Sequence, residues 1–427
     1  MYNKAQIGSP SRQHFAGEGI PVNAVFAAWP QFDNEEIDAV CRVLQSGKVN
    51  YWTGHECKAF EREFADYIGV SHAICLANGT VAIELALTSL GIGEGDEVIV
   101  PSRTFMATGS AVIRCGAIPV FADVNRDSQN LTAETVGRVL SRHTKAIIAV
   151  HLAGWPCEMD PIMDLAEQHG LKVIEDCAQA HGAVYKGRQV GSIGHAAAFS
   201  FCQDKIMTTA GEGGMLTTND DDVWRRAWAF KDHGKNYEAV NLKGDSCGFR
   251  WLHDTFGTNF RMTEIQAAIG RIATRKLNSW IATRRHHAAI LTQQLETLPG
   301  LRVTIPPDHI GHAYYKYYIF IRPDVLKPGC SRDSILAEIN AAGVPCFSGS
   351  CSEIYLEKAF VKRGLGPMQR LPVARELGET SLMFLVHPTL DTNCIFLTCE
   401  TVRSVMQQTV NPDAIRQKSF IETIVFE

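Results

Sequence analysis

The feature that most constrains this chain is a series of short, continuous apolar runs, each followed by a turn and a longer amphipathic stretch. HAICLA (72–77), EVIVP (97–101), IPVFADV (118–124), AIIAVHL (146–152), KVIEDC (172–177), AAAFSF (196–201) and GMLTTN (214–219) read as strands. VAIELALTSLG (81–91) and MDPIMDLAEQHG (159–170) read as helices between them. Strands that are apolar at every position are buried on both faces, which is the pattern of a largely parallel sheet covered by helices. The expected fold class is therefore α/β. A long helical stretch over 263–298 leads to a smaller region that holds the strand-like HAYYKYYIFI (312–321) and the helix SRDSILAEINAAG (331–343). The expected division is an N-terminal arm over 1–25, a large domain over 26–280 and a small α+β domain over 281–427, and 427 residues suffice for two cores.

Charge excludes some function classes. The formal net charge is -5 and Lys and Arg are scattered without a basic run, so neither nucleic acid nor an anionic membrane is expected as a partner. No window approaches the roughly 18 apolar residues of a membrane helix. The polar, glycine-rich opening has no charged-then-apolar leader pattern. Thirteen dispersed cysteines, with no C-x-x-C pair and no accompanying histidine set, read as reduced thiols rather than as disulfides or metal ligands. The expectation is a cytoplasmic protein without a metal site.

Ligands of open α/β sheets collect at the carboxyl ends of strands, so the residues after each run carry the functional reading. Asn78-Gly79-Thr80 follows the first strand and feeds a helix. Such a turn offers free N–H groups and a positive dipole end to a phosphate, with Thr80 adding a hydroxyl, or it is an ordinary cap with Thr80 as the capping residue. Phe105, after EVIVP, either stacks on a planar ligand or joins the core. Asp176, in DCAQAHG with Gln179 and His181, binds a cation, holds a protonated ring nitrogen, or caps a turn. Lys205 stands between FSF and the glycine-rich GEGG, with Ser200 five residues earlier. It is either surface decoration or a desolvated amine made nucleophilic by its surroundings. Together a phosphate cup, an aromatic ring, a carboxylate and an amine are the parts that hold pyridoxal phosphate.

ANGTVAIELAL, VPSRTFMAT, VIEDCAQAHGA, FSFCQDKIMTTAGEGGM and GTNFRMTEIQAAIG resemble, in order and spacing, the motifs of the DegT/DnrJ/StrS family of pyridoxal-phosphate-dependent sugar aminotransferases, over roughly residues 25–410. The resemblance implies the type I aminotransferase fold and a homodimer with shared sites. It implies that Lys205 is the Schiff-base lysine, that Asp176 pairs with the pyridine nitrogen, and that Phe105 stacks on the ring, with Gln179 near its other face or its hydroxyl. Gly79, Thr80 and Ser200 would hold the phosphate, joined by Asn259 from the neighbouring subunit. The implied reaction carries an amino group from L-glutamate to a keto group of a nucleotide-linked deoxy-sugar. Family members with histidine at the position of Lys205 are dehydratases, so lysine here favours transamination. The loop GVPCFSGSCSEIYLEKAF (343–360) lacks the histidines of many nucleotide-sugar members. With AWPQFD near the N-terminus, it is similar to the branch that includes aminohydroxybenzoate synthases. A cyclic ketone without a nucleotide is therefore the alternative substrate, and a non-catalytic regulatory protein that holds the cofactor is a further alternative. His233, His312, Tyr315, Ser350 and Tyr355 are the candidate substrate contacts. A dinucleotide-binding dehydrogenase is disfavoured, because GIGEGDE (91–97) precedes a strand instead of following one.

Overall fold

The computed structural model describes residues 26–241 and 250–413, so the arm expected over 1–25 lies outside it. Seven strands form the main sheet: β1 (His72–Leu76), β2 (Glu97–Pro101), β3 (Ile118–Ala122), β4 (Thr144–Val150), β5 (Lys172–Asp176), β6 (Ala196–Ser200) and β7 (Gly214–Thr218). Their spatial order is β1-β7-β6-β5-β4-β2-β3, and β7 alone runs against the rest. The apolar runs became strands because both faces are covered. Ile147 and Ile148 are adjacent on β4 and point to opposite sides, yet both are fully buried. Each such side chain contributes about 1.5–3 kcal/mol on burial.

The covering helices include α1 (Asn34–Ser46), α2 (Glu56–Ile68), α3 (Gly79–Ser89), α4 (Met106–Arg114), α5 (Met159–His169) and α6 (Asp221–Phe230). The long α7 (Glu264–Leu295) opens with a reciprocal Thr263/Gln266 cap. Its Leu277 and Ile281 pack with the large sheet, whereas Ala288, Leu291 and Leu295 pack with a second core. That second core lies on a four-stranded sheet, β8 (Leu301–Val303), β9 (Tyr317–Ile321), β10 (Cys346–Phe347) and β11 (Ser381–Phe384), ordered β8-β9-β11-β10. Helices α8 (Arg332–Ala341), α9 (Pro372–Thr380) and α10 (Thr392–Thr409) accompany it. No helix of the described residues is long and apolar enough to cross a membrane.

One expected strand is half as long as its pattern suggested. Of 312–321 only Tyr317–Ile321 is strand. Residues 312–316 turn aside because the Ala313 and Tyr315 N–H groups donate to the carbonyls of Gly154 and Ala153, at 2.9 and 2.8 Å. The approach needs glycine: at φ +93, a Cβ on Gly154 would stand 2.9 Å from the Tyr314 nitrogen.

Candidate active site

The site assembles at the carboxyl edge of β5 and β6, beside the amino end of α3. Asp176 ends β5 and is 5% exposed. Its Oδ2 accepts from Thr108 Oγ1 at 3.0 Å and its Oδ1 from the Ala178 N–H at 3.1 Å. Burial pushes this carboxyl above the usual range, and the two hydrogen bonds and the charge of Lys205 offset that only in part. A buried carboxylate left in that state favours any cation placed beside it.

Lys205 follows β6 and is half-buried. Its Nζ lies 5.1 Å from the centre of the Tyr315 ring, whose hydroxyl donates to Asp204. Burial acts to raise the Asp204 carboxyl, but the charge of Lys205 and the Tyr315 hydroxyl outweigh it and hold the group below its ordinary value. Trp29 Nε1 donates to the Lys205 carbonyl at 2.7 Å and fixes the backbone that carries the amine.

At the helix end, Asn78 Oδ1 accepts from the Val81 N–H at 3.0 Å, so Asn78 is the cap. Thr80 is not the capping residue, because it already lies inside the helix, where its side chain cannot reach the second or third N–H. A Cβ on Gly79 would stand 2.5 Å from the Ser200 Cβ. Glycine therefore lets the first turn of α3, with its positive dipole end, close on Ser200. Phe105 sits immediately before α4 and is 68% exposed, while Ser102, Arg103 and Thr104 before it are buried. It does not belong to the core. Gln179 is buried, and its Oε1 accepts from the Ala153 N–H at 2.8 Å. Asn259 is exposed and its Oδ1 accepts from the Arg261 N–H at 3.3 Å. The cap of α7 is Thr263, so capping that helix is not the task of Asn259.

The expected substrate contacts divide. Tyr315 stands beside Lys205. Ser350 is half-buried and its N–H donates to the Tyr318 hydroxyl at 3.0 Å. His233 is exposed, in a turn with φ +64. The other two are enclosed and have partners within the chain. His312 is buried, stacked on Tyr314 at 3.8 Å between ring centres, and its Nδ1 accepts from the Tyr314 N–H. Burial pushes its imidazole down to about 3. It is a packing residue because the 312–316 segment turns inward on the 152–154 turn. Tyr355 is buried too, and its hydroxyl is committed to the Glu353 carboxylate and the Leu371 N–H.

Behind Asp176, on the opposite face of β5, Glu175 accepts four hydrogen bonds. They come from His151 Nε2 at 3.0 Å and from the N–H groups of Gly191, Ile193 and Gly194 at 2.9, 2.8 and 2.7 Å. His151 Nδ1 accepts from the Cys157 N–H at 3.0 Å, so its proton is on Nε2. The donor atoms of His151, Glu175 and Cys177 lie within 4.8 Å of one another, as metal ligands would. Both ring nitrogens and both carboxylate oxygens are already occupied, so the cluster is a hydrogen-bonded support.

A sequence model described as the DegT/DnrJ/EryC1/StrS aminotransferase family matches residues 30–403. The chain belongs to this family. It is 39% identical to a GDP-perosamine synthase of Caulobacter vibrioides over 324 residues, which is 75% of this chain and 82% of that protein. It is 35% identical to the dTDP-3-amino-3,4,6-trideoxy-alpha-D-glucose transaminase of Streptomyces venezuelae, over 87% of this chain and 92% of that one. The solved aminotransferase of Psychrobacter cryohalolentis superposes with a TM-score of 0.88 at 54% identity, covering 90% of this chain and 99% of that one.

The cofactor of DegT/DnrJ/EryC1/StrS aminotransferases is pyridoxal phosphate, and the residues present fit it. Asp176 feels the charge of Lys205 but has no ion-pair partner among the described residues, and Phe105 exposes its ring at the same sheet edge. The contact of Gly79 with Ser200 leaves a cradle that a Cβ would fill. Sequence reading missed three residues. Thr108, one turn after Thr104 on α4, braces Asp176; the i, i+4 spacing of two threonines at a strand end was its signal. Arg284 and Lys316 converge on Tyr315 from α7 and from the turn before β9, and no local pattern marks either one.

Proposed function

We propose that this aminotransferase takes an amino group from L-glutamate and delivers it to a keto group of a nucleotide-linked deoxy-sugar. The observation that carries the reading is the convergence of Lys205 and Asp176 at one sheet edge with the glycine-tight contact of α3 on Ser200. The names of the GDP-perosamine synthase and the dTDP-aminosugar transaminase support the sugar substrate.

In this reading Lys205 Nζ holds the cofactor covalently, Asp176 keeps the ring nitrogen protonated, and Phe105 and Gln179 fix the ring plane. Gly79, Thr80 and Ser200 bind the phosphate, with Asn259 reaching it from the partner subunit of a homodimer. When bound, pyridoxal phosphate supplies the electron sink that lets a C–H bond beside the nitrogen give up its proton. Lys205 Nζ, once displaced by a substrate amine, is the base that moves this proton between the two carbons. Thr108 holds Asp176 Oδ2 and limits its rotation. His233 and Ser350 line the approach for the sugar, and 26–280 and 281–427 form the two domains that enclose it. The free thiols of the described cysteines suit a cytoplasmic setting.

The test is glutamate-dependent amination across a panel of nucleotide-linked keto-sugars and nucleotide-free cyclic ketones, read by product mass. The expected product is an amino-sugar nucleotide. Turnover confined to cyclic ketones would overturn the substrate assignment, and no turnover with any acceptor would favour a regulatory role.

A further inference from the structure

Beside Lys205 lies a second group of charges that the assignments above do not use. Lys316 is half-buried, with Nζ 4.8 Å from the centre of the same Tyr315 ring that Lys205 approaches. Arg284 is fully buried, and its Nη1 donates to the carbonyls of Tyr314 and Tyr315 at 3.3 and 3.2 Å. Its Nε and Nη2 have no partner among the described residues. Trp29 lies across its guanidinium, 5.3 Å from ring centre to Cζ. Around Tyr315, Lys205, Lys316 and Arg284 face one carboxylate, Asp204. Asp176 also feels Lys205, but in the reading above it is committed to the ring nitrogen. Once Lys205 is tied to the cofactor, Asp204 balances one of the two remaining cations and the other is unmatched. Buried cations without counter-ions are costly, so such a surplus favours an incoming anion.

We propose that this patch seats the α-carboxylate of the amino donor, with Lys316 Nζ making the contact and Arg284 fixing the backbone that carries it. The inference rests on the aminotransferase reading and adds the donor subsite. Position selects a carboxylate over a nucleotide diphosphate. In an α-amino acid the carboxylate is one bond from the carbon that bears the nitrogen, so it must sit beside the reacting amine. In a nucleotide-linked sugar the diphosphate hangs from the anomeric carbon, several bonds from a ring ketone. Lys205 and Lys316 both stand about 5 Å from the Tyr315 ring centre, so the two amines border one ring. The neighbouring His387 is buried and held neutral, pushed down to about 3 by burial and then by the charges of Arg284 and Lys316, so it adds no further cation and the surplus charge stays with Lys316 and Arg284.

The test uses holoenzyme and no sugar, so it is independent of the acceptor. Wild type, Lys316→Met and Lys316→Arg are titrated calorimetrically with maleate, an unreactive dicarboxylate, and separately with GDP and dTDP. A charge-assisted hydrogen bond is worth about 1.5–3 kcal/mol, so Lys316→Met should weaken maleate about 10- to 150-fold. Lys316→Arg should stay within about three-fold, because it keeps the charge and is the check that the site still folds. Nucleoside diphosphate affinity should not change. Burial pushes the Lys316 ammonium down to about 8, with Asp204 opposing and Arg284 and Lys205 assisting. Wild-type affinity for maleate should therefore fall as pH rises through about 8, and the Met variant should lack that step. Maleate affinity unchanged in Lys316→Met, absent in the wild type, or lost equally in both variants overturns the proposal. Selective loss of the nucleoside diphosphates would reassign the patch to the nucleotide. A failed sugar panel would leave the maleate result standing.

Discussion

Glu175 and Asp176 are consecutive on β5, and strand alternation sends them to opposite faces of the sheet. Both are buried. Glu175 meets four donors, which hold its carboxyl below the ordinary range in spite of burial. Asp176 meets two, and burial leaves its carboxyl above that range. The difference lies in the number of fixed donors, since desolvation acts on both. One face of the strand has spent its carboxylate on the protein's own backbone, tying the 191–194 turn and His151 to the sheet. The other keeps a carboxylate whose charge is incompletely compensated, and at the ligand edge that deficit is what a protonated ring nitrogen would fill. The two acids thus differ in what the protein itself provides: Glu175 is satisfied by fixed donors, and Asp176 is left with a deficit that the proposed role would use.

If chemistry is confined to the Asp176 face, the largest effects of substitution belong there. Lys205→Ala should abolish turnover while leaving thermal stability near that of the wild type, because the residue is half-buried and its amine makes no hydrogen bond among the described residues. Borohydride reduction followed by peptide mass mapping should place the cofactor mass on the peptide that contains Lys205. Label on another lysine would break the assignment and, with it, the functional half of the comparison.

Asp176→Asn should come next. The substitution keeps the shape and the contact with Thr108 but removes the anion. Each unit of lost support for the ring proton is about 1.4 kcal/mol, and several units correspond to several powers of ten in kcat. Single-turnover rates with L-glutamate measure this. A variant within a few-fold of the wild type would make Asp176 a turn cap like any other.

Glu175→Gln should invert the pattern. An amide can accept on one oxygen only, so two of the four donors would face an NH2 group. Leaving buried donors without acceptors costs about 1–3 kcal/mol each, which should lower the thermal midpoint by several degrees. The kcat per folded, cofactor-loaded molecule should remain within a few-fold, as urea unfolding and active-site titration would show. A large kcat loss at unchanged stability would erase the distinction between the two faces.

What the sequence disclosed and what it hid follow the same physical line. The strands were legible because burial on both faces demands apolar residues at every position, as in Ile147 and Ile148. The placement of Lys205, Asp176 and Gly79 at the carboxyl ends of strands was legible because each closes or follows such a run, and their proposed roles rest on that placement. The 312–316 segment was misread because HAYYK runs without a break into the strand residues YYIFI. Its backbone hydrogen bonds go to Ala153 and Gly154, some 160 residues earlier, and no local pattern records that. The burial of His312 and Tyr355 was not legible for a related reason. An aromatic residue with a polar tip reads the same whether the tip meets a substrate or a buried partner. Glu175 carried no local signal, because its backbone donors come from the 191–194 turn some 16 to 19 residues later.

The finest test of the comparison is a pair of opposite pH dependences in the apoprotein, where no ring nitrogen intervenes. Glu175 has a folded carboxyl below its ordinary value of 4.5. It therefore contributes stability that is fully present above pH 4.5 and is lost as pH falls toward its folded value. Asp176 has a folded carboxyl above its ordinary value of 3.8, so its folded form binds the proton more tightly. It costs stability at neutral pH, and that cost is relieved as pH falls through its raised folded value toward 3.8. Each effect amounts to about 1.4 kcal/mol per unit of displacement. Subtracting the stability of Glu175→Gln from that of the wild type across pH 3 to 8 should give a difference that shrinks on acidification. The corresponding subtraction for Asp176→Asn should give a wild-type deficit at neutral pH that disappears on acidification. Curves of the same sign would mean that donor count does not distinguish the two acids, and the assignment of Asp176 to a bound cation would lose its physical basis.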